Sequence, residues 1–477
     1  MTAPIPQHTM TLRDGGLGLS GVGADDLFCL VGSSSTGTAG TFYSYQGTDV
    51  QTVFDDLGEG PLPHQVAKHL LRSGGKPVLV YKSAAGTAGS VSAVTQSGAG
   101  PLPTLTGTPN DYHSAIVEIV VGGAVGTATF VYSLDGGDTY SEEIATAATY
   151  LLPSGVTVNF TAGTYVADET YSWTDTAPTL TNANVGAAFD AIIASAYQPV
   201  AVHVLGQAAT TGDMATIATT CATKVSSAWA AKKFFYAIIE APATTASSII
   251  TEVSGDTYAG VVICSGFAEV VVDKNSQVQK RASARVLVPR VARNPVGVHC
   301  LRDEADSDID PLEDVVELVP DGAAASTGYH DEDRTPGANA ARLSTLRTIA
   351  GIAGIYPTNM NTFAAASSDF SQLPYLQIAL KAMRVWYEWG VHQLGARIPK
   401  NPSTGYIDPR FAASLEQRGK AVLAAQMGRA VDAIQVLVNR TDDVSADPTL
   451  RAKVRLVCPS YILEFESEIG LASALAA

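Results

Sequence analysis

The segment from Thr449 to Leu471, TLRAKVRLVCPSYILEFESEIGL, constrains this chain more than any other. Arg451, Lys453 and Arg455 alternate with Ala452, Val454 and Leu456, and Glu464, Glu466 and Glu468 alternate with Leu463, Phe465 and Ile469. A period of two puts each set on its own face of a β-strand. Cys458-Pro459-Ser460 separates them, so the segment reads as a basic-faced strand, a hinge and an acidic-faced strand. The second strand lies where chains usually fray, so it needs a sheet to join. This chain or another copy of it must supply one.

Ahead of that segment the apolar runs alternate between strand and helix. Leu27 to Gly32 reads as a buried strand, PLPHQVAKHLLRSGG as a helix opened by Pro61 or Pro63 and closed by Gly74-Gly75, and Pro77 to Lys82 as the next strand. That is a βαβ rhythm, which gives a parallel sheet. A Gly/Ser/Ala linker over 84–100 precedes an all-β stretch with strands at Ser114–Val121, Thr127–Ser133 and Val156–Phe160. Tyr132, Tyr140, Tyr150, Tyr165, Tyr171 and Trp173 are concentrated there, either as a sandwich core or as a sugar-binding face. The α/β rhythm resumes at Asn184, with NVGAAFDAIIASAY as a helix, a second helix over Asp213–Lys232 and strands at 199–205, 234–240 and 261–267. Later, Leu373, Leu376, Leu380, Met383, Tyr387, Val391 and Leu394 recur at helical spacing before Gly395, and Asp408-Pro409 opens another helix. The strand Ala433–Asn439 then leads to the C-terminal pair.

Several function classes are disfavoured. A length of 477 residues and 46% hydrophobic content describe a globular protein of two to four domains. No window approaches the ~18 apolar residues of a membrane span, and the opening MTAPIPQHTMTLRDGG lacks a signal peptide's basic start and apolar core, so neither membrane insertion nor secretion is expected. The net charge of −16 speaks against direct nucleic-acid binding. From Ser371 onward, however, 12 Lys and Arg face 10 Asp and Glu, so an acidic body carries a near-neutral C-terminal part. GLGLSG (Gly16, Gly18, Gly21) has a dinucleotide-loop spelling without the strand before it or the helix after it. Asp306, Asp308, Asp310 and Glu317 have calcium-loop spacing, but Pro311 replaces the turn glycine, so a solvated acidic loop is expected and no metal or other cofactor. His203 sits in an apolar strand as a core residue, and no catalytic grouping stands out, so no enzyme is expected. Cys29, Cys221, Cys264, Cys300 and Cys458 form no CxxC pair. Cys29 and Cys458 border the terminal arms, where disulfides between subunits could lock an assembly.

DGGLG at 14–18, GPLPHQVAKHLL at 60–71 and the run from Arg384 to Gly470, with GARIPKNPSTGYIDPRF, IQVLVNRTDDV and LRAKVRLVCPSYILEFESEIG within it, resemble the sheath proteins of contractile phage tails and related injection systems. The resemblance implies an α/β fold: a mixed α/β core completed by both chain ends, with an inserted all-β, sandwich-like domain and extended terminal arms. The divisions that follow are a linking arm over 1–24, core over 25–98, β insert over 99–180, α/β body over 181–335, a helical and strand part over 336–458, and a second arm over 459–477. It also implies a helical homopolymer around a tail tube protein, joined to baseplate and terminator proteins, assembled in a bacterial host's cytoplasm and located in the virion tail. Contraction would drive the tube through an envelope with no ATP site. Strand exchange between neighbours would use Leu12, Asp14, Leu17 and Leu19 at one end and Tyr461, Leu463, Glu464, Phe465, Glu466, Glu468 and Ile469 at the other. Lys381, Arg384, Arg397 and Lys400 would face the tube. The competing expectation is a β-rich virion adhesin or carbohydrate-binding protein.

Overall fold

A computed structural model describes residues 26–206, 208–271, 277–302, 308–320, 328–441 and 450–463. Its centre is a six-stranded sheet in the order Val261–Cys264, Tyr236–Glu240, Ala201–Val204, Phe28–Gly32, Val78–Lys82, Thr41–Tyr45. The first five strands run parallel and the last is an antiparallel edge. The five parallel strands are buried along their whole length, as continuous β-branched runs covered on both faces must be. Successive residues of Phe28–Gly32 enter different cores: Cys29 and Val31 meet the helices Asn182–Ala194 and Thr211–Ala230, while Leu30 meets Leu62, Val66 and Leu70 of the helix Pro61–Arg72.

The βαβ unit stands as the sequence suggests, with two additions. The polar stretch after Gly32 carries the edge strand Thr41–Tyr45 and the short helix Gln51–Leu57. Their signal is weak because only Tyr45, Val53, Phe54 and Leu57 are buried.

Residues 84–180 are β-only. One sheet has the order Thr95–Ser97, Thr170–Asp175, His113–Val121, Thr129–Ser133, Ile144–Ala145, and a second has Thr149–Leu151, Val156–Asn159, Thr104–Gly107. Val117, Ile119, Phe130, Val158, Tyr165 and Tyr171 fill the space between them. The stretch 84–100 is more than a linker: its Thr95–Ser97 pairs with Thr170–Ser172, and Thr87 and Val91 bridge to Thr179 and Asp175. Its polar residues carry no apolar period, so the strand is silent in the sequence.

A three-stranded antiparallel sheet, Phe267–Val271, Val278–Ala282 and Val315–Val319, leads into the helix Ala284–Arg293. Glu317 therefore lies in a strand, opposite Glu269, and not in a solvated loop. Sheet pairing of the Val315-Val316 run overrides the acidic composition before it. Asp310 accepts from Arg290 at 3.0 Å, Asp306 lies outside the described residues, and no metal-binding cluster occurs among the described residues.

The C-terminal part consists of the helices Leu373–Val391 and Pro409–Met427 and a two-stranded antiparallel ribbon, Ala433–Val438 with Ala452–Val457. The central sheet draws all its strands from residues 28–264, so the C-terminal residues described here do not complete it. They build a separate sheet on the two helices. No helix among the described residues is long and apolar enough to cross a membrane.

Candidate subunit-docking face

The long helix Leu373–Val391 has Pro374 in its first turn, where a missing amide proton costs nothing. It buries two faces. Leu373, Leu376 and Leu380 pack into the body with Leu287 and Val288, while Ile378, Ala382 and Val385 pack against Leu423, Met427 and Val436. Asp408 starts the second helix by accepting from the amides of Arg410 and Phe411 at 2.7 and 3.4 Å. Gly419 brings the helices together: a Cβ there would lie 2.8 Å from the Trp386 ring, and Trp386 and Trp389 stack at 4.7 Å.

The ribbon lies on this helix pair. In Ala452–Val457, Val454 and Leu456 turn toward the helices and Lys453 and Arg455 toward solvent, as their alternation indicates. Each ribbon strand has one paired edge and no partner along its other edge among the described residues. A groove of about 750 Å³ runs between ribbon and helix, with Tyr375, Ala379 and Met383 on one wall and Val454, Leu456 and Cys458 on the other. The helix ends at Val391, short of the expected stop at Gly395, and among the described residues nothing covers its apolar stripe past the groove: Tyr387 and Val391 are 45% and 44% exposed, and Leu394, in the turn that follows, is 79% exposed. This is a large apolar surface, of the kind that marks an interaction site.

The expected strand-exchange residues divide here. Tyr461 is fastened to its own chain: its hydroxyl donates to the Gly297 carbonyl at 2.5 Å, and its ring lies 5.4 Å from Tyr375 and 5.7 Å from His299. It has no strand conformation, so the acidic-faced strand does not begin at Tyr461. Leu463 and its neighbour Ile462 are exposed. Glu464, Phe465, Glu466, Glu468 and Ile469, with Leu12, Asp14, Leu17 and Leu19 and the GLGLSG glycines, lie outside the described residues. Lys381 and Arg384 are half-buried on the long helix, and Arg397 and Lys400 are exposed on the loop after it.

The disulfide expectation is corrected for Cys29. It is fully buried between two strands of the central sheet, and burial pushes its thiol far above the usual range. Cys458 is half-buried in the groove wall. Of the clustered aromatics, Tyr165, Tyr171 and Trp173 are core residues, and Tyr140 is exposed. Tyr132 and Tyr150 pack half-buried against the same core.

Sequence reasoning missed a buried charge network joining the β-only stretch to the body. Arg281 donates to Asp111 at 2.9 Å, and Arg285 donates to Glu240 at 3.1 Å, all four residues being buried. Burial alone would raise both carboxyls, but Arg281 beside Asp111 and Arg285 beside Glu240 outweigh it and hold each at about 2. His203, the expected core histidine, stands 3.5 Å from Glu240, and burial lowers its pKa. Partners 170 and 45 residues apart leave no local pattern, so no sequence signal could have found these pairs.

A family model described as DUF2586, N-terminal domain, matches residues 5–361. No curated protein sequence matches the chain. Among solved structures, the PVC sheath complex of an extracellular contractile injection system in its contracted state aligns over 99% of both chains, with a TM-score of 0.52 at 10% identity. The contracted helical sheath of the anti-feeding prophage aligns over 99% of this chain and 100% of its own, with a TM-score of 0.49 at 9% identity. The sheath tail protein of Desulfitobacterium hafniense aligns over 95% and 100%, with a TM-score of 0.46 at 11% identity. The chain and the PVC sheath protein share a fold.

Proposed function

The chain belongs to the DUF2586 family, and from the fold it shares with the PVC sheath protein we propose that it is a structural subunit of a contractile tail sheath. In this reading it polymerises helically around a tail tube and contracts to drive the tube through a target envelope. The observation that carries it is the end-to-end likeness to the PVC sheath protein, which spans 99% of both chains. Its partners are further copies of itself, a tube protein, and baseplate and terminator proteins at the two ends. Its place is the tail of a virion or injection device assembled in a bacterial host.

The uncovered groove and ribbon edge suggest how copies connect. A strand added to Ala452–Val457 would make main-chain hydrogen bonds along the edge that Ala433–Val438 leaves unpaired. Leu463, Glu464, Phe465, Glu466, Glu468 and Ile469 of one neighbour, and Leu12, Asp14, Leu17 and Leu19 of another, have the length and alternation for that role. Main-chain pairing tolerates side-chain change and survives rotation of the bodies, which a contracting lattice requires. Lys381, Arg384, Arg397 and Lys400 then face the tube.

Negative-stain microscopy of the purified protein, alone and with its tube protein, tests the reading. Hollow striated tubes are expected from the full chain. Removal of residues 464–477, or Ala379→Arg in the groove, should leave folded single subunits. Absence of tubes under every condition refutes the sheath role, whereas tubes persisting in both variants refute only the strand exchange.

A further inference from the structure

A small pocket of about 20 Å³ lies where the Pro61–Arg72 helix meets the Val278–Ala282 strand and the Ala284–Arg293 helix. A single water needs about 10–15 Å³ of such space, so the pocket has room for one small guest. The wall has an unusual composition. His64, Lys68, Arg281 and Arg285 line it with Gln65 and two valines, and no carboxylate lines it among the described residues.

The carboxylates that balance these cations approach from elsewhere. Asp111 accepts from Arg281, Glu240 from Arg285, and Asp314 from Lys68 at 2.7 Å. Arg285 turns only Nε toward Glu240; its Nη1 is buried and has no hydrogen-bond partner among the described residues. The Nδ1 of His64 is likewise buried without one. An unpaired guanidinium donor in the interior is costly. Burial lowers the Arg281 pKa, Asp111 opposes that, and Arg285 lowers it further, so the two guanidinium groups repel across this wall. A neutral water would satisfy Nη1 but leave the repulsion in place. An anion would satisfy Nη1 and offset the repulsion.

We propose that the pocket binds one small monovalent anion of chloride type, with Arg285 Nη1 as its chief donor. Sulfate is too large for the space, and fluoride gives up its water too reluctantly. The bound ion would tie together two helices and a strand of the body. Through Arg281 and Asp111 it would also steady the β-only stretch where that stretch meets the body.

Thermal unfolding of the full chain in sodium chloride, bromide, fluoride and sulfate at equal ionic strength tests this. Chloride and bromide should raise the midpoint by about 2 °C over fluoride and sulfate, reversing the order expected from general salt exclusion. Gln65→Glu places a carboxylate in the pocket wall and should abolish the increment. Equal midpoints in all four salts, or an increment that persists in Gln65→Glu, would overturn the proposal. If that variant does not fold, anomalous diffraction from wild-type crystals in bromide decides: a bromide beside Arg285 Nη1 supports the site, and a water there sinks it.

Discussion

Asp111→Ala should loosen the β-only stretch from the body. The carboxylate is 1% exposed and lies 2.9 Å from an Arg281 side chain that is 5% exposed. Removing it leaves a guanidinium in the interior with Gln279 and the Tyr112 and Lys280 carbonyls as its neutral partners. Breaking a buried pair in this way costs about 3–5 kcal/mol, which corresponds to roughly 10²- to 4 × 10³-fold more frequent opening of the affected backbone. Hydrogen exchange by mass spectrometry reads that directly. Peptides covering 110–114 and 278–283 should lose protection, while the central strand Ala201–Val204 should keep it. The companion variant Asp111→Ala/Arg281→Met replaces charge by apolar bulk and should recover most of the protection. Unchanged exchange in the single variant, or a double variant no better than the single one, would refute the view that this ion pair docks the stretch.

Three further outcomes follow from the same structure. Asp111 and Glu240 are held at about 2, below their usual range, so their stabilising effect is present above the unfolded values near 4 and disappears as pH falls toward 2. Circular dichroism in acid should show loss of structure in that window, shifted to higher pH in Glu240→Gln only if that variant folds with a lower starting stability. Asp175 behaves oppositely: burial raises it to about 6, with the Trp173 indole hydrogen bond opposing, so its ionised form weakens the fold at neutral pH. Asp175→Asn keeps an acceptor for Trp173 and should stabilise by about 1–2 kcal/mol at pH 7 after allowance for partial solvation, with no gain at pH 4 in calorimetry. Gly419→Ala, ordinarily worth about 0.5–1 kcal/mol to a helix, should instead lower the melting temperature, because the new methyl meets Trp386 at 2.8 Å.

The parallel strands, the 61–72 and 373–391 helices and the Asp408 cap were legible because each carries its reason locally, in a continuous apolar run, a helical period or a capping side chain. The Thr41–Tyr45 edge and Thr95–Ser97 were not, because pairing with an existing neighbour holds a strand whose own residues are mostly polar or exposed. The apolar stripe from Leu373 to Leu394 was read correctly as a period, but the period does not say which turns are covered. Its first half enters the core and its second half stays outside. Tyr461 shows the same limit from the other side, since alternation alone could not reveal the Gly297 carbonyl that holds it.

The chain leaves the body after Ser83 and returns at Leu180, and the outgoing and returning segments are stitched side by side by the Thr87–Thr179 and Val91–Asp175 bridges. Gly86 and Gly89 permit that closeness, since a Cβ at either would strike backbone of the neighbouring strand within 2.5 Å. Because the two junctions are adjacent, everything beyond them can change in length or sequence without altering the distance the body has to span. The β-only stretch is thus a cartridge on a fixed mount, and its far loops are where inserted peptides would disturb the body least.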